Sequence, residues 1–553
     1  MKNKPLERGS RRLRLFPSST HSSGELCGGE LRCVVWWRFG QAKDGTTQRR
    51  RRELYLPRNR SAPAICVAVV EARREGSRCE ASNHGFHAQQ EEAPHCHVPM
   101  ASFWPYDSLP RARQAHGSKG HHISFISTPR NIDRLPKLPP NLASLIDLVK
   151  LPLPHMEKNN LPEDAEATID VPYNKVPYLK KAYDALQDSM ARFLQDSHPD
   201  WLLFDFVPYW LPNIARKLNI PNVFFSIYTA ASLSFIGSKA HLGERKNPED
   251  FAVPPSWVPF PTTVTLRFFE VMKIFQDSLS SDKSDVTDLF RFGEVLDGCD
   301  IVALRSSMEF EPEWLRVLED LHQKPVLPIG QLPTVVYDNG DETDTWVWMK
   351  DWLDKQVKGS VVYVAFGSEA KPIQEELTEI ALGLEQSKLP FFLVLRTRRG
   401  QADTELIELP EGFEERTKGQ GLVCTSWVPQ LKVLAHDSIG GFFTHSGWSS
   451  VVEALQFERA LILLTFYADQ GINAKVLEEK HIGYLIPRNE HDGSFTRDSV
   501  AKSLRLVMVE EEGKIYRDKA KEMKGLFGDR TSQDRYLDSF LDYLISHPKN
   551  ICT

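Results

Sequence analysis

WVPQLKVLAHDSIGGFFTHSGWSSVVEALQFERALILLTFYADQ, residues 427–470, decides the fold of the second half of this chain. The apolar run from Ile439 to Phe443 predicts a short buried parallel strand. A turn containing Gly447 follows it, and a helix is predicted to begin at Trp448. Such a strand, glycine turn and helix start bind anionic phosphate, because free backbone N–H groups and the positive end of the helix dipole face one place.

Polar side chains in the same stretch are suited to the rest of such a ligand. Hydroxyl groups of Ser449 and Ser450 and a ring N–H of His445 are hydrogen-bond donors for phosphate oxygens. Glu453 lies one turn into the predicted helix, where a carboxylate can hold the paired hydroxyls of a ribose. A second predicted strand, Ala460 to Phe466, leads to Asp469 and Gln470, which are suited to sugar hydroxyls.

The stretch closely resembles the signature box of plant UDP-dependent glycosyltransferases, in its W-x-P-Q opening, its H-x-G-W, the Ser and Glu that follow, and its final D-Q. The resemblance implies a metal-independent enzyme with a UDP-sugar donor and no further cofactor. It also implies a second diphosphate contact at Ser368, after the apolar strand VVYVAF. The implied roles are uracil and nucleoside binding by Trp427 and Gln430, ribose binding by Glu453, diphosphate binding by His445, Ser449 and Ser450, and sugar orientation by Trp448, Asp469 and Gln470.

Four positions depart from the family pattern. Ser449 stands where Asn is usual, Ser446 where Cys is usual, Glu458 where Gly is usual, and Ala460 where Pro is frequent. The change at Ser449 shortens a phosphate donor but keeps a hydrogen bond, whereas a Cβ at Glu458 strains a turn that favours glycine. The alternative interpretation makes the tryptophans core aromatics and His445 an interior histidine.

Composition excludes several classes. The chain has 553 residues, 41% of them hydrophobic, which predicts two domains with additional segments. A net charge of −6 gives no general attraction to nucleic acid or anionic membrane. No apolar run reaches the roughly eighteen residues of a spanning helix, and no secretory signal is evident. The cysteines lack metal or disulfide spacing, so a reduced, cytoplasmic protein is the expectation. A monomer is also expected.

Residues 1–119 differ from the rest of the chain. Arginine clusters at Arg11 to Arg14 and Arg49 to Arg52 alternate with Ser, Gly, Cys and Pro, and the only apolar runs are CVVWW and AICVAVV. This pattern predicts a segment of low order. A targeting signal or a nucleic-acid-binding function is one interpretation of the clusters. A leader translated without selection is the interpretation that we favour.

The genetic code supports the leader interpretation. Read one base later, Met100-Ala101 must give Trp and Trp104-Pro105 must give Gly, and permitted codons from Ala93 onward allow LHIVMFPWLPFGHMIPYLELAKLMAQ before Lys119. This hidden text resembles the first strand, turn and helix of the glycosyltransferases. In that family the His of the F-G-H turn is the general base, so the chain as written lacks it. Sequencing around Lys119 tests for the frame error.

The stretch from Pro199 to Trp210 predicts a strand that ends in Asp205, and this Asp matches the family's partner of that histidine. Such a carboxylate fixes the tautomer of the base and supports its positive charge, as in hydrolytic triads. The alternative is an Asp that caps the following turn. Without the first strand, its neighbours in the sheet are expected to lack a hydrogen-bonding partner and to pack poorly.

Strands alternate with helices from His121 onward, so the fold class is α/β, with two Rossmann-like doubly wound domains and a cleft between them, the GT-B arrangement. The predicted divisions are residues 1–119 (aberrant segment), 120–323 (acceptor domain), 324–343 (linker), 344–498 (UDP-sugar domain) and 499–553 (C-terminal helices, the last returning to the acceptor domain).

The expected reaction is inverting transfer of glucose or rhamnose from its UDP derivative to a hydroxyl of a small plant metabolite or its glycoside, of flavonoid or terpenoid type. ISTPRNIDRLPKLP and the H-S-G-W-S-S form of the box resemble the rhamnosyltransferase-like group, the UDP-glycosyltransferase subfamily 91. The second hypothesis is a UDP-sugar-binding pseudoenzyme that lacks its base.

Overall fold

The computed structural model describes residues 67–72, 121–135, 138, 143–154, 161–162, 164–171, 175–280, 286–334, 344–367, 372–395, 407–467 and 469–547. Two sheets organise them. The first contains seven strands in the order β3-β2-β1-β4-β5-β6-β7 and the second contains six in the order β10-β9-β8-β11-β12-β13. The α/β class and the two doubly wound sheets predicted from sequence are confirmed.

Three neighbouring strands of the first sheet, β4 to β6, are buried on both faces, as expected where helices cover a parallel sheet. Its strands are β1 (Val67–Ala72), β2 (His121–Ser127), β3 (Ile146–Lys150), β4 (Trp201–Phe204), β5 (Asn222–Ser226), β6 (Ile301–Leu304) and β7 (Val326–Pro328). All neighbouring pairs are parallel except those of β1.

The strand β1 occupies the centre of this sheet and runs antiparallel to both neighbours. Val67 is in register with Ile126 of β2 and Phe204 of β4, whereas Ala72 is in register with His121. The expectation that β2 and β4 lack a hydrogen-bonding neighbour is therefore wrong. Sequence reasoning missed the pairing because it joins a short apolar run to partners far along the chain. The chain enters β1 at the edge where Asp205 follows β4 and leaves it at the opposite edge.

The second sheet is wholly parallel. Its strands are β8 (Val361–Ala365), β9 (Phe391–Val394), β10 (Gly421–Cys424), β11 (Ile439–Thr444), β12 (Ala460–Leu463) and β13 (Gly483–Leu485). Chain order runs outward from β8 through β9 to β10 on one side, and from β11 through β12 to β13 on the other. The order therefore reverses between β8 and β11, and ligands of open α/β sheets bind at such a point, beyond the carboxyl ends of the strands.

Helices cover both sheets. In the first half they are α1 (Pro129–Asp133), α2 (Val176–Asp184), α3 (Gln187–Ser197), α4 (Leu211–Lys217), α5 (Ala230–Ile236), α6 (Lys239–Glu244), α7 (Phe268–Ser280), α8 (Asp288–Gly298) and α9 (Pro312–His322). In the second half they are α10 (Asp344–Leu353), α11 (Gln374–Ser387), α12 (Phe413–Arg416), α13 (Gln430–Ala435), α14 (Trp448–Leu455), α15 (Gln470–Glu479), α16 (Arg497–Met508), α17 (Lys514–Gly528) and α18 (Arg530–Ser546).

One predicted strand and the predicted linker differ in extent from those observed. Before them, α2 and α3 are separated by a 3₁₀-type turn in which the Leu186 N–H donates to the Tyr183 carbonyl at 3.0 Å. The strand predicted from Pro199 to Trp210 ends at Phe204, where an Asp205 turn begins. The predicted linker from residue 324 begins in the first sheet, because Leu327 pairs with Ala303.

The last helix, α18, packs on the first sheet. The Trp201 Nε1–H of β4 donates to the Leu544 carbonyl at 3.1 Å, and the Gln331 N–H donates to Gln533 Oε1 at 2.5 Å. Leu537, Phe540, Leu541 and Leu544 are buried with residues of β2, β4 and β5 in one cluster. The chain therefore crosses back to its first half at its end. Among the described residues, none of these helices combines the length and the apolar character that crossing a bilayer requires.

The carboxyl edges of the two sheets face each other. Arg305, which follows β6, donates from Nη1 to Ser449 Oγ on α14 at 2.7 Å. On another part of the same boundary, Thr229 Oγ1, the N-cap of α5, lies 3.2 Å from Asn473 Oδ1 of α15. Asp205 follows β4 at the same edge as Arg305, so it faces the same cleft.

Candidate active site

The cleft contains the amino end of α14, placed directly behind β11 at the point where strand order reverses. Gly447 is the N-cap. The N–H groups of the first turn, on Trp448, Ser449 and Ser450, have no acceptor within the helix. A Cβ on Gly447 would lie 2.3 Å from Nε2 of His445, so only glycine lets the His445 ring lie against the turn. The predicted strand, turn and helix start are confirmed.

His445 is buried at the end of β11, with Nδ1 3.3 Å from Thr444 Oγ1. Burial lowers the pKa of its imidazole to about 4. The ring is therefore neutral near pH 7 and can offer an N–H but no charge to an anion. The next residue, Ser446, adopts a φ of +67°, and its buried hydroxyl has no protein partner among the described residues.

Gln430 and Glu453 lie together, although 23 positions separate them in sequence. Gln430 Nε2 donates to Glu453 Oε2 at 2.8 Å and lies 3.5 Å from Ser450 Oγ. Both side chains are buried. The pair is formed because α13 begins at Gln430 and packs beside α14, which brings one end of the box against its middle.

The two tryptophans of the box have different surroundings. Trp427, after β10, is partly buried. The Trp448 ring is buried between Phe310 and Phe527, with ring centroids 5.2 and 6.1 Å away. The alternative of a core aromatic therefore describes the Trp448 ring, whereas its Nε1 has no protein partner among the described residues.

Asp469 and Gln470 begin α15 beside the cleft. Burial raises the pKa of the Asp469 carboxyl to about 6, and Oδ2 accepts from Asn473 Nδ2 at 2.8 Å. Gln470 Oε1 accepts the N–H groups of Phe466 at 2.9 Å and Tyr467 at 3.3 Å, which fixes the loop after β12. The carboxylate thus keeps one oxygen for a further partner, whereas the amide carbonyl is engaged by the backbone.

Asp205 is buried immediately after β4, and its Oδ1 accepts the Val207 N–H at 2.9 Å. The turn-capping alternative is therefore observed. Ala72, the last residue of the antiparallel β1, lies at the opposite edge of the sheet from Asp205. Ser368 and the segment read in a shifted frame lie outside the described residues, while the adjoining Gly367 adopts a φ of +77°.

Sequence reasoning missed two residues of the cleft. Arg305 reaches α14 from the other half of the chain, and no local pattern reveals a contact between residues so far apart. Asn473 is fully buried and joins three segments: Nδ2 donates to Asp469 Oδ2 and to the Ser446 carbonyl at 3.3 Å, and Oδ1 faces Thr229. The spacing of Asp469 and Asn473, one helical turn apart, was the available signal.

Relatives of known name match most of the chain. UDP-glycosyltransferase 91A1 of Arabidopsis thaliana is 55% identical over 431 residues, which are 78% of this chain and 92% of the relative. Soyasaponin III rhamnosyltransferase of Glycine max is 41% identical over 81% of this chain and 93% of that protein. The sequence model of the family described as UDP-glucoronosyl and UDP-glucosyl transferase matches residues 332–539.

Solved structures share the arrangement of the two sheets. UGT2 of Phytolacca americana, complexed with UDP-2fluoro-glucose and pterostilbene, has a TM-score of 0.56 at 25% identity, over 75% of this chain and 89% of that one. A transferase of Siraitia grosvenorii in complex with UDP has a TM-score of 0.61 at 21% identity, over 76% and 92% of the two chains, a likeness of fold. With the signature box assembled in the cleft and relatives of this identity, the chain belongs to the UDP-glucoronosyl and UDP-glucosyl transferase family and is by family a UDP-glycosyltransferase.

Proposed function

We propose that the protein transfers glucose or rhamnose from a UDP-sugar to a hydroxyl of a small plant metabolite or of its glycoside. The observation that carries this proposal is the contact of Gln430 with Glu453 beside the open amino end of α14. A carboxylate for the ribose and free N–H groups for the diphosphate are thus adjacent at the point where strand order reverses.

The proposed chemistry is one in-line displacement that inverts the anomeric centre. The acceptor oxygen forms a bond to the anomeric carbon as the bond to the β-phosphate oxygen breaks, and the acceptor proton passes to a general base. The N–H groups of Ser449 and Ser450, their hydroxyls and the ring N–H of His445 are suited to receive the charge that develops on the diphosphate. With these donors, the proposed transfer requires neither a metal nor another cofactor.

Individual roles follow the positions of the side chains. Trp427, which is partly buried after β10, is proposed to stack on uracil, and Ser368 to contact the diphosphate. Asp469 is proposed to bind sugar hydroxyls through its remaining oxygen. Gln470 is proposed to act with it through its amide nitrogen, since its carbonyl is bonded to the backbone.

We further propose that the general base belongs to the βα unit encoded in the shifted frame, with Asp205 as its partner. A parallel strand between β2 and β4 would place its carboxyl end, and the turn after it, at the edge where Asp205 lies. The matched region covers 92% of the Arabidopsis relative but only 78% of this chain, so most of what lies outside the match belongs to this chain. The position of β1 between β2 and β4, antiparallel to both, supports a replaced unit at this place in the sheet.

The donor and acceptor classes rest on relatives. Two of them are named rhamnosyltransferases, for soyasaponin III in Glycine max and for anthocyanidin-3-O-glucoside in Petunia hybrida, at 41% and 33% identity. These names support a terpenoid or flavonoid glycoside as acceptor here. We propose a cytoplasmic monomer; the cytoplasmic location is supported by the two buried free thiols of the described region, Cys299 and Cys424.

The test is release of UDP from UDP-glucose and UDP-rhamnose, with flavonoid and triterpenoid glycosides as acceptors, by this chain and by a chain carrying the shifted-frame unit. We expect the second chain to be faster by about 10²–10⁴-fold, the usual contribution of a general base. Asp205→Asn in the second chain should lower kcat with little change in donor affinity. Equal turnover by the two chains would refute the account of the base, and UDP binding without turnover by either would identify a pseudoenzyme.

A further inference from the structure

We propose that Arg305, from the acceptor half of the molecule, is a ligand of the donor's diphosphate and supplies the positive charge that the leaving group requires. The proposal rests on the proposed function, because it concerns the same donor site. It assigns a residue outside the signature box, from the other half of the molecule, to that site.

The geometry holds the guanidinium at the mouth of α14. Arg305 Nε donates to the Gln331 carbonyl at 2.6 Å and Nη2 donates to the Leu332 carbonyl at 3.1 Å, so the loop after β7 fixes the plane of the group. Nη1 donates to Ser449 Oγ at 2.7 Å, on the first turn of α14. A guanidinium has about five N–H donors, so these three bonds leave donors for an anion at the same place.

The charge of Arg305 has no carboxylate in contact. Its bonded partners are two carbonyls and a hydroxyl, and it takes part in none of the ion pairs within the described part of the chain. Burial lowers its pKa to about 10, with the charge of Glu453 opposing that shift. A cation removed from water without an ion-pair partner is costly, and a bound diphosphate would offset that cost.

The other donors at this place are neutral. His445 carries no charge near pH 7, and the amino end of a helix contributes only about half an elementary charge. When the bond to the sugar breaks, the diphosphate gains one full negative charge. A cation at its oxygens therefore stabilises the transition state. In the described cleft, Arg305 is the cation in contact with the first turn of α14.

Several buried polar groups near Arg305 and the N-cap of α14 also lack protein partners. Both amide atoms of the Gln331 side chain are of this kind, as are Ser446 Oγ and Trp448 Nε1, within the described residues. Gln331 is fully buried beside Arg305, and Ser446 and Trp448 flank the N-cap of α14. Buried polar groups are normally hydrogen-bonded, and clusters of exceptions are typical of places where a polar ligand binds.

The experiment separates the phosphate from the nucleoside. UDP and uridine are titrated calorimetrically into the full chain and into Arg305→Met, Arg305→Lys and Arg459→Met. Arg459 is the matched control, a partly buried arginine bonded to the carbonyls of Leu434, Ile439 and His436. We expect Arg305→Met to weaken UDP binding by about tenfold to a hundredfold, the contribution of a charge-assisted hydrogen bond, and to leave uridine binding unchanged.

Arg305→Lys should lose less UDP affinity than Arg305→Met, because it keeps the charge but not the planar fork. Arg459→Met should change the affinities for UDP and for uridine by the same factor. Equal losses of UDP and uridine affinity in Arg305→Met, or no loss of either, would overturn the proposal and leave Arg305 a structural residue. If Arg305→Met does not fold, the same comparison is made with Arg305→Lys, where a loss restricted to UDP is required. Failure of the parent chain to bind either ligand would instead contradict the proposed donor site.

Discussion

His445 connects the residue scale to the chemistry of the site. Because burial holds its pKa at about 4, well below its usual 6.5, the unfolded chain takes up a proton between these values while the folded chain does not. Stability must therefore fall as the pH falls from about 6.5 to about 4, by up to about 3 kcal/mol from this group. Urea unfolding of the parent and of His445→Asn at pH 7 and pH 4.5 measures the effect.

Comparing the parent with His445→Asn removes the effect of other acid-sensitive groups, because the carboxylates contribute equally to the stability of both proteins. We expect His445→Asn to lose less stability than the parent between the two pH values. An identical loss in the two proteins would mean that His445 is accessible to protons in the folded state, and the argument for a neutral donor would fail.

Glu458 is a second residue whose local conformation has a measurable consequence. Its φ is +63°, in the left-handed region that favours glycine, and its carboxylate pairs with Lys524 at the surface at 2.7 Å. A left-handed conformation costs a residue with a Cβ about 1–2 kcal/mol. Glu458→Gly should therefore be more stable than Glu458→Ala by about 1 kcal/mol in thermal or urea unfolding.

Both Glu458 variants lack the exposed ion pair, so their difference isolates the backbone term. A more stable alanine variant would contradict the strain.

The sequence could reveal Glu458, His445 and the start of α14, because each depends on neighbours within a few positions. It could not reveal Arg305 or the enclosure of the Trp448 ring by Phe310 and Phe527, because those depend on how distant segments meet.

At the scale of elements, α18 stabilises the first sheet from the end of the chain. Phe540 is buried in the cluster that α18 shares with β2 and β4. Phe540→Ala should lower the free energy of unfolding by about 3–5 kcal/mol, since it removes a large buried ring and leaves a cavity. Asp542→Ala, two residues along on the exposed side of the same helix, should change it by less than about 0.5 kcal/mol.

Comparable small effects of the two α18 variants would show that the helix does not contribute to the fold of the first half. Apolar runs predicted the strands β8, β11 and β12, because a strand buried on both faces is continuously apolar. Strand ends were less predictable. The run from Pro199 to Trp210 remains apolar after β4 ends, and only the side-chain bond of Asp205 to Val207 shows where the backbone turns.

At the scale of the whole molecule, a buried charge cluster holds the two halves together. Glu270, which is buried on α7, accepts from Arg267 Nη2 at 2.8 Å, and the same nitrogen donates to Thr465 Oγ1, after β12, at 2.5 Å. Glu270→Gln leaves Arg267 without its anion and should cost about 3–5 kcal/mol. Thr465→Val removes only a hydroxyl and should cost about 1 kcal/mol.

Unfolding is followed with one probe in each half of the molecule. If Glu270→Gln weakens only the contact between the halves, a single unfolding transition should separate into two. If Glu270→Gln were as stable as the parent, the cluster would not be a determinant of the arrangement.

The topology of the molecule was predictable from alternating strands and helices, whereas the antiparallel β1 was not, because it pairs against the direction that such alternation imposes.

The central claim is that this cleft binds a uridine diphosphate between the Gln430–Glu453 pair and the amino end of α14. A crystal structure of the chain with UDP tests it most directly. The account predicts uracil against Trp427, the ribose hydroxyls on Glu453, and diphosphate oxygens within hydrogen-bond distance of the N–H groups of Ser449 and Ser450. UDP bound elsewhere, or no UDP in this cleft at saturating concentration, would contradict it.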